Sequence, residues 1–246
     1  MTSQLATLGA GGAGFVPTQI AGLKLWVKGD TGTFQDTGLT TAAVADGDPV
    51  GGWQDQSGQG NNATQGTAAA KGTLKLNVLN GKAVVRGDGV DDYLTHAALT
   101  LGTTHTVFLV TQWPTATQAG ILLGSDTANY GPYTNGSSTL NYSVSNPNPQ
   151  QACNVAFAPA NATWYVLGIR RNGLTVRFYK NGAQLGTDQT LSPNNNDPYS
   201  PTTLFAGGNS FFQAIDLAEV LYYNSALSDA NVTNVLNYLN GRYAVY

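Results

Sequence analysis

Charge is the scarcest property of this sequence. Only 10% of its 246 residues are charged, whereas about 25% are charged in an average soluble protein. Eleven Lys and Arg residues stand against 14 Asp and Glu residues, which gives a net charge of −3. A chain with this balance offers no basic surface to neutralise a phosphate backbone, so we expect no nucleic-acid partner.

Cysteine and long apolar runs are scarce as well. The single cysteine, Cys153, excludes an intrachain disulfide, and we interpret it as a small buried apolar residue rather than a nucleophile. No apolar run approaches the roughly 20 residues of a membrane-spanning helix, so we expect no membrane insertion. His96 and His105 lack a neighbouring Cys or Glu at metal-ligand spacing, which argues against a zinc site.

The N-terminal segment differs from the rest of the chain in composition. The run from Gly9 to Gly14 contains only glycine and alanine, and it is costly to order alone. No Lys or Arg precedes residue 24, and the segment does not resemble a secretory signal. We interpret residues 1–21 as a leader that anchors a single domain, residues 22–246, to a larger assembly. A disordered tail is the alternative. Apolar residues flank the run: Leu5, Leu8, Phe15, Val16 and Ile20.

The body of the chain predicts strands, and its end predicts a helix. Many short alternating runs separated by Gly and Asn turns, such as WYVLGIRRNGLTVRFYKNG (Trp164 to Gly182), indicate a β-sandwich. Ser228 can cap a helix that begins with Asp229 and ends at Gly241. Apolar residues at spacings of three and four predict a helix face that docks on the sandwich: Val232, Val235, Leu236, Leu239 and Tyr243.

These features resemble the laminin-G/pentraxin-like branch of the concanavalin A-like superfamily. The resemblance implies an all-β jelly-roll sandwich of two antiparallel sheets with one short C-terminal helix. It does not fix the function, because this fold hosts lectins, glycosidases, adhesins and spacers. The similar segments are GLKLWVKGD (Gly22 to Asp30), VGGWQDQSGQGNNATQ (Val50 to Gln65), VRGDGVDDYLT (Val85 to Thr95), THTVFLVTQW (Thr104 to Trp113) and NGLTVRFYKNGAQLG (Asn172 to Gly186).

The resemblance also supplies a test for enzyme activity. Retaining β-glucanases of this fold carry an E-x-D-x-x-E strand, whose first Glu is the nucleophile and whose last Glu is the acid/base. The matching positions here are Ala214, Asp216 and Glu219, and Glu219 is the only glutamate of the chain. A retaining glycosidase needs two carboxylates about 5 to 5.5 Å apart. Asp216 and Glu219 fall on opposite faces of a regular strand unless a bulge intervenes. We therefore predict a non-enzymatic protein.

Acidic residues crowd in one loop and suggest a cation. Asp88, Asp91 and Asp92 lie within five residues, and an earlier acidic loop surrounds Asp55. Carboxylate oxygens suit calcium, and the resemblance implies calcium at a loop rim. Because Asp is also a common turn residue, turn chemistry is the alternative to a calcium site.

Aromatic residues cluster in the loops, where exposed rings could stack on sugars while Asn and Asp bond the hydroxyls. The alternative is that these rings fill the bases of loops or contact a partner subunit. The candidate carbohydrate-binding residues are Tyr130, Tyr133, Tyr142, Tyr199, Phe211 and Phe212.

The favoured interpretation is a virion surface protein. A fold usually displayed outside cells that begins at Met1 without an export signal indicates assembly into a phage particle, as a head decoration or a fibre or adhesin component. Its expected partners are other virion proteins, contacted through the leader in an oligomeric assembly, and host-cell glycans. The alternative is a secreted or cell-surface carbohydrate-binding module.

Overall fold

The fold is built from three layers. The computed structural model describes residues 14–115, 120–124, 131–135, 138–144, 153–193, 196–207 and 210–246. Within these residues a large sheet forms the middle layer, two smaller sheets cover its inner face and an α-helix covers its outer face.

The strands are short except at the centre of the large sheet. The helical segments among the described residues are α1 (Asp229–Tyr243) and two 3-10 turns at Pro17–Gln19 and Ala68–Ala70. The strands are β1 (Leu23–Lys28), β2 (Thr33–Phe34), β3 (Gly52–Trp53), β4 (Ala63–Thr64), β5 (Thr73–Leu79), β6 (Lys82–Asp88), β7 (Leu94–Thr95), β8 (Thr104–Gln112), β9 (Gly120–Ile121), β10 (Leu123–Gly124), β11 (Gly131–Asn135), β12 (Thr139–Ser143), β13 (Cys153–Ala156), β14 (Trp164–Asn172), β15 (Thr175–Lys180), β16 (Ala183–Thr190), β17 (Thr203–Leu204) and β18 (Ala214–Tyr223).

All pairings between these strands are antiparallel. The large sheet has the order β16-β15-β14-β8-β18-β6-β5, and β1 pairs with β18 beyond the end of its pairing with β6. The second layer is divided into a sheet of order β10-β17-β7-β4-β3-β2 and a sheet of order β13-β12-β11-β9. The predicted fold class, a concanavalin A-like antiparallel sandwich with a C-terminal helix, is confirmed. None of the helices in the described residues is long and apolar enough to span a membrane.

The central strands are apolar on both faces because both faces are covered. On β8, Val107 and Leu109 belong to the inner core, whereas Phe108 and Val110 belong to the outer core under α1. Successive side chains of a strand point to opposite faces, so a strand between two layers reads as a continuous apolar run. The cover on both faces explains why the segment THTVFLVTQW contains consecutive apolar residues, which a strand with one exposed face would not.

A bulge in β18 changes which residues share a face. The register of β18 against β8 shifts between Leu217 and Glu219. Asp216 then pairs with Gln112 and Glu219 pairs with Val110, so both acids point to the outer face. A regular strand would place them on opposite faces, and the extra residue of the bulge brings them to the same one.

Helix α1 confirms the predicted cap and buried face, but not the predicted end. The Asn231 amide donates to Ser228 Oγ at 3.3 Å, and all five predicted face residues are buried. The end predicted at Gly241 is wrong, because the helix continues to Tyr243 and ends at Ala244, whose φ is 48°. Tyr243 is fully buried and donates its hydroxyl to a carbonyl of β18, so its packing carries the helix past the glycine.

The described part of the leader packs on the same chain. The ring of Phe15 meets Tyr238 of α1 edge-on, with centroids 6.3 Å apart. The Tyr223 hydroxyl donates to Pro17 O at 3.0 Å, and Ile20 is buried in the outer core. These apolar residues therefore contact their own domain, where we had expected a neighbouring subunit. The boundary at residue 21 and the anchoring role stay predictions.

One buried carboxylate connects three elements of the outer layer. Glu219 of β18 is fully buried, and its Oε1 accepts a hydrogen bond from Trp26 Nε1 of β1 at 2.6 Å. Its Oε2 lies 3.2 Å from Nε of Arg242 in α1, and Arg242 also contacts Asp30 at 2.5 and 2.6 Å. Burial raises the pKa of Glu219, while the hydrogen bond from Trp26 and the charge of Arg242 oppose the rise.

We expect the hydrogen bond from Trp26 to matter more than the charge of Glu219. Glu219→Ala leaves Trp26 Nε1 buried without an acceptor, so the free energy of unfolding should fall by about 3 kcal/mol. Glu219→Gln keeps an acceptor oxygen and removes a carboxylate whose burial is costly, so its loss should be about 1 kcal/mol. Urea unfolding at neutral pH measures both variants. Equal losses would contradict this account.

Candidate functional site

Two loops meet where β18 begins. One loop follows β6 and the other precedes β18, and the two strands are joined by the pair Ala214 and Asp88. Continued along the antiparallel register, this pairing brings residues 88–93 alongside residues 211–213. We call these two segments the rim.

The rim exposes apolar side chains. Val90 is 71% exposed and Phe211 is 60% exposed. Phe211 has a φ of 57°, in the left-handed region that costs a non-glycine residue about 1 to 2 kcal/mol. A backbone outlier of this kind at a loop tip is a reason to suspect function, because the surrounding structure must hold it in place.

Two half-buried rings support the exposed one. Tyr93 and Phe212 have centroids 6.0 Å apart and ring planes at 38°. Behind them, Gly87 of β6 packs closely on Phe205, since a Cβ on Gly87 would lie 2.9 Å from Cδ1 of that ring. The glycine of the VRGDG segment thus lets β6 approach the loop that carries Phe211.

Three carboxylates belong to the same rim. One oxygen from each of Asp88, Asp91 and Asp92 lies within 4.8 Å of the others. Asp88 Oδ1 accepts the amide of Val90 at 2.7 Å, and Asp92 Oδ2 accepts the amide of Asp88 at 3.0 Å. Burial, together with repulsion from Asp88 and Asp91, raises the pKa of Asp92 to about 6.

The donor chemistry of this cluster fits a hard divalent cation. In the described part of the chain, no basic side chain forms an ion pair with the three carboxylates. Calcium takes about six to eight oxygen ligands, so loop carbonyls or water would have to complete the set. The amide bonds to Asp88 and Asp92 are also those of an ordinary acidic turn. The calcium site stays a prediction.

Three of the four predicted carbohydrate-binding tyrosines, Tyr133, Tyr142 and Tyr199, lie outside the rim. Tyr133 lies half-buried on β11, and Tyr130 falls outside the described residues. Tyr142 and Tyr199 are fully buried. A ring without exposed surface cannot stack on a sugar, so the structure contradicts the prediction for these two residues. The rim instead contains Val90 and Tyr93, which the sequence analysis did not select as candidates. An apolar residue inside an acidic turn, Val90, is the sequence feature that could have indicated this site.

A buried arginine draws the Tyr199 loop into the core. Arg171 is fully buried and donates to two backbone carbonyls and to Asn196 Oδ1 at 2.9 Å. The Tyr199 hydroxyl then reaches a carbonyl of β10 at 2.9 Å. Beside it, the Tyr142 hydroxyl is 2.6 Å from His105 Nε2. Burial, with the charge of Arg171, lowers the pKa of His105 to about 3, so this cluster is uncharged apart from the guanidinium.

The single cysteine and both histidines, which the sequence analysis considered as a nucleophile and as metal ligands, are buried as well. Cys153 is a buried free thiol whose pKa burial raises to about 11. His96 and His105 are both buried. The aspartate cluster of the rim is the one grouping of metal-ligand side chains found in the described residues.

The two acids of the glucanase-like segment are engaged in structural contacts. Asp216 is fully buried and accepts from Arg86 at 2.6 and 2.8 Å and from Gln112 at 2.5 Å. Glu219 is equally buried and accepts from Trp26 beneath α1. The bulge puts both acids on one face, but neither carboxylate is open to solvent.

The acidic loop around Asp55 is structural as well. Asp55 accepts hydrogen bonds from the amides of Trp26, Ser57 and Asn61 at 2.8 to 3.0 Å and from the Ser57 hydroxyl at 2.7 Å. Its lone pairs thus hold the W-x-D-x-S-G-x-G-N loop against β1. Asp55 does not contribute to the rim.

The raised pKa of Asp92 should make stability depend on pH. The pKa of an unfolded aspartate is about 3.9, whereas burial raises the pKa of Asp92 to about 6 in the folded state. The folded state binds more protons between these values, so stability should fall as the pH rises from about 4 to about 6. Asp92→Asn should remove this part of the dependence. Urea midpoints measured across that range in chelator test it, and an unchanged slope in the variant would identify another group.

The fold is shared with solved structures of low sequence identity. The binding domain of Paraclostridial Mosquitocidal Protein 1 has a TM-score of 0.61 at 13% identity, over 89% of this chain and 52% of that chain. The botulinum neurotoxin serotype D binding domain has a TM-score of 0.61 at 11% identity, over 89% and 51%. Trypanosoma rangeli sialidase in complex with sialic acid has a TM-score of 0.59 at 12% identity, over 91% and 33%. The chain therefore spans a third to a half of these structures, and the likeness shows the fold.

Sequence comparison shows the family. None of the curated protein sequences compared with this chain matches it. A laminin-G-type family model, described as concanavalin A-like lectin/glucanases superfamily, matches residues 87–233, more than half of the chain. The matched range contains the whole of the rim, β8 and β18. The chain belongs to the concanavalin A-like lectin/glucanases superfamily.

Proposed function

We propose that this lectin-like domain binds carbohydrate at the rim. The observation that carries the proposal is that the rim combines the exposed ring of Phe211 with three clustered carboxylates. An aromatic ring offers a flat apolar surface to the C–H face of a pyranose, and carboxylates accept strong hydrogen bonds from its hydroxyls. The solved toxin binding domains and the sialidase share the fold, and they support the proposal by analogy of fold alone.

The backbone of the rim suits a binding surface. Phe211 is held outward in a strained conformation, and the Tyr93 and Phe212 pair fixes the loop beneath it. A loop that is ordered before binding loses less entropy when a ligand arrives. Val90 widens the apolar surface on the opposite segment. A single sugar ring could therefore contact both segments at once.

We propose further that calcium contributes to this site. Asp88, Asp91 and Asp92 would hold the ion, which supplies positive charge that the described basic side chains do not. Without the ion, burial and mutual repulsion keep Asp92 partly protonated at mildly acidic pH. Calcium would favour the charged form and so fix the geometry of the loop that carries Val90.

Binding to an array of bacterial and animal cell-surface glycans tests the rim. The wild-type protein should bind at least one glycan class, and Phe211→Ala should weaken this binding by about tenfold, since it removes the stacking surface. Val90→Ala should weaken it less. Chelator should weaken binding by the wild-type protein, and Asp91→Asn should remove that sensitivity to calcium.

The control is Val44→Ala, because Val44 is 72% exposed and lies outside the rim. This variant should bind like the wild type. Binding that survives Phe211→Ala unchanged would exclude the rim as the glycan site. If neither glycan binding nor the melting temperature changes when calcium is added, the calcium site is excluded, but the rim can still be the glycan site.

We propose also that the domain is not an enzyme. Ala214 occupies the position of the glucanase nucleophile, and the two nearby acids are buried in contacts with Arg86 and Trp26. General acid–base catalysis needs a carboxyl group within hydrogen-bond reach of the substrate. The sialidase likeness is one of fold and covers 33% of that chain.

Incubation with a panel of β-glucans should release no reducing ends. The reason is that neither Asp216 nor Glu219 reaches solvent. Release of reducing ends that disappears in Glu219→Gln would contradict the proposal. Release that persists in this variant would point to a contaminating hydrolase.

For the biological setting we propose the surface of a phage particle, with the leader as the attachment segment. The arrangement of the two ends of β18 supports this. Pro17 contacts Tyr223 at the end of β18, whereas the rim lies at its beginning. An attachment there leaves the rim directed away from the particle. A secreted or cell-surface module remains the alternative setting.

Deletion of residues 1–13 should leave a folded domain with a nearly unchanged melting temperature. The contacts of Phe15, Pro17 and Ile20 are kept in this variant, so the outer core is not opened. The variant should fail to join particles made with the other virion proteins. Particle assembly at wild-type levels would refute the anchoring role, without bearing on the rim.

A further inference from the structure

A polar cleft lies on the outer face of the large sheet, beside the start of α1. Its volume is about 360 Å³, within the range of small-molecule sites, which is roughly 300 to 1,000 Å³. Strands β14, β15 and β16 form one wall and the turn between β18 and α1 forms the other. The cleft is lined by Arg170, Asn172, Thr175, Arg177, Asp188 and residues 226–229.

The charges in the cleft are paired and fixed. Arg177 makes two hydrogen bonds to Asp188, at 2.5 and 2.6 Å. Arg170 donates to Asp229 Oδ1 at 2.6 Å and to Leu227 O at 2.8 Å. Arg177 also lies 3.6 Å from Asp229, so this carboxylate stands between the two guanidinium groups. The two cations and two anions cancel, and each side chain is held in one orientation.

Several hydrogen-bonding groups of the cleft are nevertheless open. The side chains of Asn172 and Thr175 are exposed, and no described residue hydrogen-bonds to them. The side chain of Asp229 is 78% exposed. Open amide, hydroxyl and carboxylate groups therefore line the same cleft.

We infer that this cleft is a second carbohydrate site, for a neutral sugar with vicinal hydroxyl groups. Each hydroxyl both donates and accepts a hydrogen bond, and the cleft offers guanidinium and amide donors beside carboxylate acceptors. An anionic ligand would have to displace Asp188 or Asp229 from its arginine. The paired charges thus favour a neutral ligand over a carboxylate or phosphate.

The cleft is distinct from the rim. The rim lies before Ala214, and the cleft lies beyond Tyr223, so the ten residues of β18 separate them. At about 3.3 Å per residue this is roughly 33 Å, too far for one monosaccharide to contact both sites. Two sites on one domain would let it engage a branched or clustered glycan with higher avidity.

Amide chemical shifts of the full chain, titrated with D-glucose, D-galactose, D-mannose and N-acetyl-D-glucosamine, test the inference. At least one of these sugars should shift the amides of residues 172–177 and 226–230. Sodium sulfate and D-glucuronate should not. The double variant Asn172→Ala and Thr175→Ala should weaken the effect by about tenfold. Asn154→Ala, an exposed amide on β13 outside the cleft, should not change it.

The outcomes separate the cleft from the rim. Shifts confined to residues 88–93 and 211–213 would support the rim and overturn the cleft. Shifts in the cleft that survive Phe211→Ala would support the cleft whatever happens at the rim. Shifts in the cleft caused equally by sulfate, or unaffected by the double variant, would overturn the inference of a neutral sugar site. No shift with any of the four sugars would overturn it as well.

Discussion

Strand β18 is buried along nine consecutive residues, from Ile215 to Tyr223, because the smaller sheets cover one face and α1 covers the other. This double cover is the constraint on which the molecule depends, and the carboxylate of Glu219 maintains it. A buried charge is tolerated only when it is compensated. Here Trp26 of β1 donates a hydrogen bond to the Glu219 carboxylate, and Arg242 of α1 forms an ion pair with it. The same contacts keep Glu219, the one glutamate of the chain, buried and out of reach of a ligand at the surface.

Both faces of the central sheet are covered, and the two proposed sites lie at the two ends of β18. At the beginning, the pairing of Ala214 with Asp88 brings the two loops of the rim together. At the end, the turn into α1 places Asp229 between Arg170 and Arg177. Because only 10% of the residues are charged, these two clusters of charged side chains differ clearly from the rest of the surface. The two proposed sites differ in chemistry. The rim has one exposed ring and three carboxylates that form no ion pair with a described basic side chain, whereas the cleft has paired charges.

Local patterns in the sequence predicted the local structure well. The cap at Ser228 and the buried face of α1 depend on nearest neighbours along the helix, and both are confirmed. The end at Gly241 failed because the burial of Tyr243 is a tertiary contact, worth more than the preference of glycine for a helix end. The bulge after Leu217 was foreseen only as an exception, because a bulge shows no signature in a run of apolar residues.

The site was harder to predict because loop aromatics look alike in a sequence. Tyr199 follows the segment PNNNDP and Phe211 follows GGNS, both typical of loops, yet Tyr199 is fully buried and Phe211 is 60% exposed. The loop of Tyr199 is held by the buried guanidinium of Arg171, which donates to the Asp197 carbonyl and to Asn196 Oδ1. In the rim, the ring of Phe212 pairs with that of Tyr93, and the ring of Phe211 stays exposed. Whether a loop ring such as that of Tyr199 is buried therefore depends on hydrogen bonds between its loop and a core side chain that is distant in sequence. Those hydrogen bonds form only in the complete fold.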